Sequence, residues 1–107
     1  MTTSAASIGH AGEGVVVTYL KAKGYRITCW DTQGPGATDI EAAGTQATLL
    51  VQVKSAVWPN EPCALSVLEH QALTSRAARK RAQAWEARVT LDSSLRPIGE
   101  PAWRKLN

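Results

Sequence analysis

Three polar residues that can do chemistry, Asp39, Gln52 and Lys54, stand on either side of the short segment 44–46. The segments that flank it carry strand-forming residues and predict an antiparallel hairpin with a turn at Gly44-Thr45-Gln46. Side chains alternate across a strand with period two, so Gln52 and Lys54 share one face. With the turn centred on its middle residues, Asp39 lies across from residue 51 or 52. We therefore expect a carboxylate, an amide oxygen and an ammonium to meet at the open end of the hairpin.

This combination of groups fits the hydrolysis of a phosphoester. Hard divalent cations prefer oxygen ligands, which Asp39, the Gln52 amide and the backbone carbonyl of Val53 offer. Such a cation polarises a phosphoryl oxygen and activates a water nucleophile. Lys54 can hold that water or neutralise the charge that develops in the transition state. A lysine inside a strand needs a reason of this kind, because burying an unpaired charge costs several kcal/mol.

Each of these residues also has an ordinary structural explanation. Aspartate can end a strand, lysine can protect an edge strand, and an amide is common on an exposed strand face. Glu13 lies at the edge of the apolar stripe of the first predicted helix, where the helix dipole could also favour an acid. The residue types favour function for Asp39 and Lys54 and leave both explanations open for Gln52 and Glu13.

Helix signals occur twice in the chain. Apolar residues at helical spacing predict a first helix over 7–23, which ends at a glycine after a basic last turn. Ser66 and Glu69 form a capping box that opens a second helix. We expect this helix to run to about Ala84, with Leu68 on its buried side.

Strand signals fill most of the remaining chain. Alternation and β-branched residues predict strands over 25–31, 38–43, 47–54 and 85–91. A Pro-containing loop is expected over 56–62, and the chain beyond Asp92 is expected to be irregular or a short edge segment. The order of elements is αβββαβ, so the sequence predicts a single α/β domain over 1–107 whose mixed sheet is flanked by helices.

Composition sets limits on the class of protein. The chain has 107 residues, of which 44% are hydrophobic and 20% charged, as in ordinary globular domains. These values exclude a disordered tail, a collagen-like chain and a coiled-coil rod. Cys29 and Cys63 form no CxxC pair, so no zinc site is expected and both are predicted to be free thiols in a reducing compartment. No targeting segment or membrane-spanning run is visible, so we predict a cytoplasmic protein without a membrane partner.

The net charge of +3 comes from the second half of the chain, where basic residues form a cluster. The cluster consists of Arg76, Arg79, Lys80 and Arg81. Positions 76, 79, 80 and 83 share one side of the second predicted helix, and such a stripe can clamp backbone phosphates without reading sequence. From the charges alone, a solvated helix face is the favoured explanation. Ser55 and Trp58, which follow Lys54, are further candidates for DNA binding, although Ser55 could simply begin a loop and Trp58 could contact another subunit.

These residues resemble the PD-(D/E)XK nuclease superfamily in its QxK form. The motif consists of Thr38-Asp39-Ile40 followed by Leu50-Val51-Gln52-Val53-Lys54-Ser55, with Thr38 in the place of the usual proline. The segment from Gly9 to Ile27 is similar to the N-terminal helix and first strand of that superfamily. Archaeal Holliday-junction resolvases and Mrr-type endonucleases have the same order of elements. The resemblance covers roughly residues 7–92 and implies a restriction-endonuclease-like αβββαβ core.

The resemblance also implies roles for individual residues. Asp39 would be the metal carboxylate, Lys54 the catalytic lysine, and Glu13 the glutamate that reaches the site from the first helix. Gln52 stands where glutamate is more common, which removes one negative charge and makes Glu13 more important. Mg²⁺ or Mn²⁺ would bind to Asp39, Gln52, the Val53 carbonyl and Glu13, directly or through water.

The implied activity is metal-dependent hydrolysis of phosphodiester bonds in double-stranded or branched DNA. The endonuclease would be structure-selective or part of a larger DNA-processing complex, and a homodimer is the simplest assembly. The alternative is a catalytically degenerate nuclease fold that binds DNA or a protein partner. A degenerate site should bind Mg²⁺ or Mn²⁺ no better than its Asp39→Ala variant.

Overall fold

A computed structural model describes residues 4–30 and 39–107 of the chain. A five-stranded sheet carries one helix on each face. In chain order the elements are α1 (Ala5–Ala22), β1 (Arg26–Trp30), β2 (Ile40–Ala43), β3 (Thr48–Val57), α2 (Val67–Lys80), β4 (Gln83–Leu91) and β5 (Ala102–Lys105). The predicted order αβββαβ is therefore confirmed, and β5 is the short edge segment expected beyond residue 92.

The strands lie in the sheet in their order along the chain, from β1 to β5. The central pair β3 and β4 is parallel, and the other neighbouring pairs are antiparallel. A parallel pair needs a crossover connection, which α2 supplies. The predicted mixed sheet is thus confirmed, and its parallel pair brings β3 next to β4 with residues 52 and 86 opposite each other.

The two faces of β3 pack against different helices. Leu49, Val51 and Val53 point to the face that α1 covers. Leu50 points to the other face and joins a small core with Leu73 of α2. Because side chains alternate along the strand, Gln52 and Lys54 lie on the α2 face of the sheet.

Helix boundaries differ from the expected ones at several points. The helix α1 begins two residues earlier than predicted, because the side chain of Ser4 accepts a hydrogen bond from the backbone N–H of Ser7 and caps it. The capping box of α2 is confirmed, but the helix ends at Lys80 rather than near Ala84. Arg81 adopts a left-handed conformation with φ of 53°, which stops the helix.

The predicted burial of Leu68 is wrong, and the predicted loop over 56–62 begins two residues later than expected, after Val57. Leu68 is 77% exposed. It lies five positions before buried Leu73, which places it about 140° around the helix from the buried face. The strand β3 continues to Val57, because residues 55 to 57 remain paired with β4. Asp31 and Thr38, at the ends of two predicted strands, lie outside the described residues.

Candidate functional site

Asp39 is held at the start of β2 by the neighbouring strand β3. The register pairs Ile40 with Val51, so Asp39 lies beside Gln52, as the hairpin predicted. Asp39 Oδ2 accepts hydrogen bonds from Gln52 Nε2 and from the backbone N–H of Val53, both at 3.0 Å. The turn at the other end of the hairpin is closed by a 2.8 Å hydrogen bond from the Gly44 N–H to the Ala47 carbonyl. The hairpin thus brings the predicted carboxylate and amide into direct contact.

Lys54 lies two residues beyond Gln52 on the same face of β3 and reaches α2. Its Nζ donates to Glu69 Oε2 at 2.8 Å, and the two side chains are 20% and 30% exposed. Glu69 Oε1 meanwhile accepts from the backbone N–H of Ser66 at 3.0 Å, which completes the capping box. The hydrogen bond from Lys54, followed by that from Ser66, lowers the pKa of Glu69. Only the capping box can be predicted from the sequence, so the contact between Glu69 and Lys54 was missed.

Glu13 approaches the sheet from the α1 face. It is 9% exposed and accepts a 3.0 Å hydrogen bond from Trp30 Nε1, while His10 stacks on the Trp30 ring with centroids 5.5 Å apart. Glu13 is the ninth residue of α1, more than two turns from its start. The helix-dipole explanation of Glu13 is therefore wrong, because that effect is confined to the first turn.

The contact between α1 and β3 at Gly12 sets the position of Glu13. A Cβ built on Gly12 would lie 2.7 Å from Ser55 Cβ and closer still to Ser55 Oγ. The backbone of α1 at Gly12 therefore lies so close to β3 at Ser55 that no side chain fits between them. Ser55 Oγ itself is buried and has no hydrogen-bond partner among the described residues. Its hydroxyl is sealed under α1, which argues against the predicted DNA contact of Ser55.

The oxygen donors beside Asp39 fit a hard divalent cation. Mg²⁺ in proteins is commonly held by one or two carboxylates together with water and substrate phosphate. Asp39 supplies a carboxylate, and Gln52 Oε1 accepts no hydrogen bond within residues 4–30 and 39–107. Those same residues contain no cluster of three or more Asp, Glu, His or Cys side chains. The ligand set therefore depends on the amide, on backbone carbonyls such as that of Val53, and on the substrate.

The other predicted DNA-binding residues lie at the surface around α2. Trp58, one residue beyond β3, is 67% exposed. Arg79 is exposed and Arg76 half-buried on α2, whereas Lys80 donates to both carboxylate oxygens of Glu41 at 3.2 Å. Position 83, which was predicted to extend the stripe, belongs to β4 instead. The DNA contacts of these residues stay predictions.

A buried carboxylate next to the hairpin was not predicted. Glu86 on β4 is 1% exposed, and its Oε2 accepts from the backbone N–H of Leu65 at 2.9 Å. Its Oε1 accepts from the Nε–H groups of Arg88 and Arg104, each at 3.1 Å. Burial alone would raise the pKa of Glu86, but these hydrogen bonds and the two positive charges lower it overall. Alternation along β4 separates Glu86 from the apolar side chains of Trp85 and Ala87, but nothing in the strand itself shows what covers the face on which Glu86 lies.

A separate aromatic cavity lies near the other end of β3. Its volume is about 480 Å³, and it is lined by Tyr19, Leu20, Lys23, Tyr25, Leu49, Trp85 and Trp103. The ring of Trp103 packs on Trp85 and Tyr19 with centroid distances of 6.1 and 5.5 Å. None of the predicted catalytic residues lines this cavity, so it is distinct from the hairpin site.

Comparison with solved structures identifies the fold. The Holliday junction resolvase Hjc of the archaeal hyperthermophile Archaeoglobus fulgidus superposes with a TM-score of 0.65 and 23% sequence identity, over 91% of this chain and 74% of the resolvase chain. No protein-family model and no curated protein matches the sequence. The chain therefore has the restriction-endonuclease-like fold of that resolvase, as the sequence resemblance predicted. Within the described residues, neither helix has the length and apolar character that crossing a membrane requires.

Proposed function

We propose that this domain is a metal-dependent endonuclease that hydrolyses phosphodiester bonds in branched or double-stranded DNA. The observation that carries the proposal is the contact of Asp39 with Gln52 and the Val53 N–H at 3.0 Å, with Lys54 on the same face. A carboxylate, an amide and a lysine on one hairpin of a resolvase-like fold form a set that suits phosphoryl chemistry.

The roles of the residues follow from their chemistry. Asp39 and Gln52, with the Val53 carbonyl, would hold Mg²⁺ or Mn²⁺, and Glu13, which approaches from the α1 face, would contribute through water. The bound ion would supply an activated water and a polarised phosphoryl oxygen. Lys54 would donate hydrogen bonds to the attacking water or to a non-bridging oxygen, where its charge opposes the negative charge of the transition state.

To act in this way, Lys54 must release Glu69 and contact the substrate instead. The pair is partly exposed, and ion pairs of this kind contribute only about 0–1 kcal/mol. A phosphate oxygen that offers a charge-assisted hydrogen bond can therefore replace the carboxylate at small cost. Since one such site cuts one phosphodiester bond, cleavage of two strands would need a homodimer or a larger complex.

The test is a cleavage assay on linear duplex, single strand, four-way junction and supercoiled plasmid, with Mg²⁺ and with Mn²⁺. We expect Lys54→Ala to lower the cleavage rate by roughly 100-fold or more, as the loss of a transition-state donor does elsewhere. Lys21→Ala, which removes a lysine from the exposed surface of α1, is the matched control. Thermal unfolding of each variant separates lost chemistry from lost folding. Absence of metal-dependent cleavage of every substrate would reject the endonuclease.

One observation favours a second candidate, a degenerate nuclease fold that binds DNA or a partner without cutting. Gln52 donates its amide to Asp39 and Lys54 is already paired with Glu69, so the polar groups of the site satisfy each other. Calorimetric titration with Mn²⁺ distinguishes the two candidates. The endonuclease should bind Mn²⁺ more tightly than its Asp39→Ala variant, whereas the degenerate fold should bind it equally weakly.

A further inference from the structure

Two arginines beside the hairpin are held by one buried carboxylate. Glu86 is almost fully buried, while the side chains of Arg88 and Arg104 are 38% and 53% exposed. Both arginines donate their Nε–H to the same oxygen, Glu86 Oε1, at 3.1 Å. The carboxylate is fixed in turn by the backbone N–H of Leu65 at 2.9 Å. Glu86 thus anchors both guanidinium groups from the inside of the protein.

This anchoring leaves the outer edges of the two guanidinium groups available. Within residues 4–30 and 39–107, Arg88 and Arg104 donate side-chain hydrogen bonds only through Nε–H. Their Nη groups therefore donate to no described residue. A guanidinium presents its N–H donors in a planar fork that matches the oxygens of a phosphate. Two arginines and one glutamate also leave one positive charge in excess. The cluster therefore has both the donors and the charge for an anion.

The cluster lies on the same face of the sheet as the hairpin residues. Gln52 on β3 is paired with Glu86 on β4, which is paired with Arg104 on β5. Lys54 is paired with Arg88 in the same way. Neighbouring strands lie about 4.8 Å apart, so Arg104 stands roughly 10 Å across the sheet from Gln52. Along a duplex axis that distance corresponds to about three nucleotides of one strand.

We propose that Arg88 and Arg104 form a binding site for a backbone phosphate of DNA, within about three nucleotides of the phosphate that is cut. The identity of the ligand as DNA rests on the proposed function. Glu86 is a positioning residue that orients the two arginines. The site is separate from the predicted stripe on α2, because Lys80 of that stripe contacts Glu41 of β2 on the opposite side of the sheet centre.

The experiment measures binding without cleavage. A fluorescent four-way junction and a fluorescent duplex are titrated by anisotropy in EDTA over a series of salt concentrations. Arg104→Gln should weaken binding and reduce the slope of log affinity against log salt by about 1, the value for one lost phosphate contact. Lys105→Gln is the matched control, because it removes the same charge from the next residue of β5, on the other face of the sheet. Its slope should equal that of the wild type.

A second variant guards against charge and folding effects. Glu86→Gln combined with Arg104→Gln leaves the net charge unchanged and avoids an unpaired buried carboxylate. It should still reduce the slope by about 1 and should unfold cooperatively in urea. Equal slopes for Arg104→Gln and Lys105→Gln, an unchanged slope for the double variant, or no DNA binding by the wild type would each overturn the proposal. If the wild type cuts no substrate but Arg104→Gln still reduces the slope of log affinity against log salt, the endonuclease is rejected and the phosphate site is retained.

Discussion

Replacement of Gly12 by alanine tests whether α1 must approach β3 as closely as the structure has it. The new Cβ would lie 2.7 Å from Ser55 Cβ, where ordinary contacts begin at 3.4 Å. Rotation about χ1 can move Ser55 Oγ aside, but Ser55 Cβ is fixed to the backbone of a central strand and cannot move in this way. The helix must therefore move outward by about 0.7 Å at this point. Overpacking of this kind costs about 1–3 kcal/mol.

Two other glycines of the same helix provide the control. Gly9 and Gly14 have no described atom within 4 Å of a built Cβ. Alanine at either position should stabilise the protein by about 0.8–1 kcal/mol, because alanine has the higher helix propensity. Gly12→Ala has the same favourable helix propensity, but the overpacking destabilises the protein by more than the propensity stabilises it. Its free energy of unfolding should therefore be about 1–3 kcal/mol below that of Gly14→Ala.

The assay combines urea unfolding with cleavage. For a domain of this size, 1 kcal/mol corresponds to about 4 °C or more in melting temperature, so the contrast is also visible by heating. If Glu13 takes part in the reaction, its displacement should lower the cleavage rate of folded Gly12→Ala, since shifts of about 1 Å can cost as much as 100-fold. Equal stability of Gly12→Ala and Gly14→Ala would refute the close approach. Unchanged cleavage by folded Gly12→Ala would remove Glu13 from the site.

Two further predictions concern carboxylates that the fold holds in place. The pKa values of Glu69 and Glu86 are lowered from 4.5, so both groups stabilise the fold above pH 4.5 and lose that contribution as the pH falls through their lower values in the folded state. The urea concentration at the unfolding midpoint should decrease as the pH is lowered below 4.5, and it should decrease less steeply in Glu86→Gln than in the wild type. Parallel curves of midpoint against pH for the two proteins would contradict this. Trp30→Phe removes the indole N–H that donates to Glu13 and should cost about 1.5 kcal/mol or more in urea unfolding. Trp58→Phe at an exposed position should change stability by less than about 0.5 kcal/mol.

Prediction from the sequence succeeded where a short turn fixes the register. The turn at 44–46 leaves one pairing that buries the apolar side chains, so the contact of Asp39 with Gln52 follows from the turn and the alternation together. The same alternation failed for Glu86, because it divides a strand into two faces without showing what covers each one. The partners of Glu86 come from the loop before α2 and from β5, which are distant in sequence. Contacts of this kind depend on tertiary packing rather than on any local pattern.

The paired groups of the site favour a polyanion over a single anion. Lys54 and the two arginines each contact a carboxylate of the protein, so any anion must compete with Glu69 or share the guanidinium groups with Glu86. A free phosphate gains one contact with these cationic groups and must still compete with the carboxylate that already binds the group. A DNA backbone presents several phosphates at once and also releases condensed counterions, which adds a favourable term for each contact. Inorganic phosphate should therefore be a weak competitor, whereas added duplex DNA should compete strongly and in a salt-dependent way.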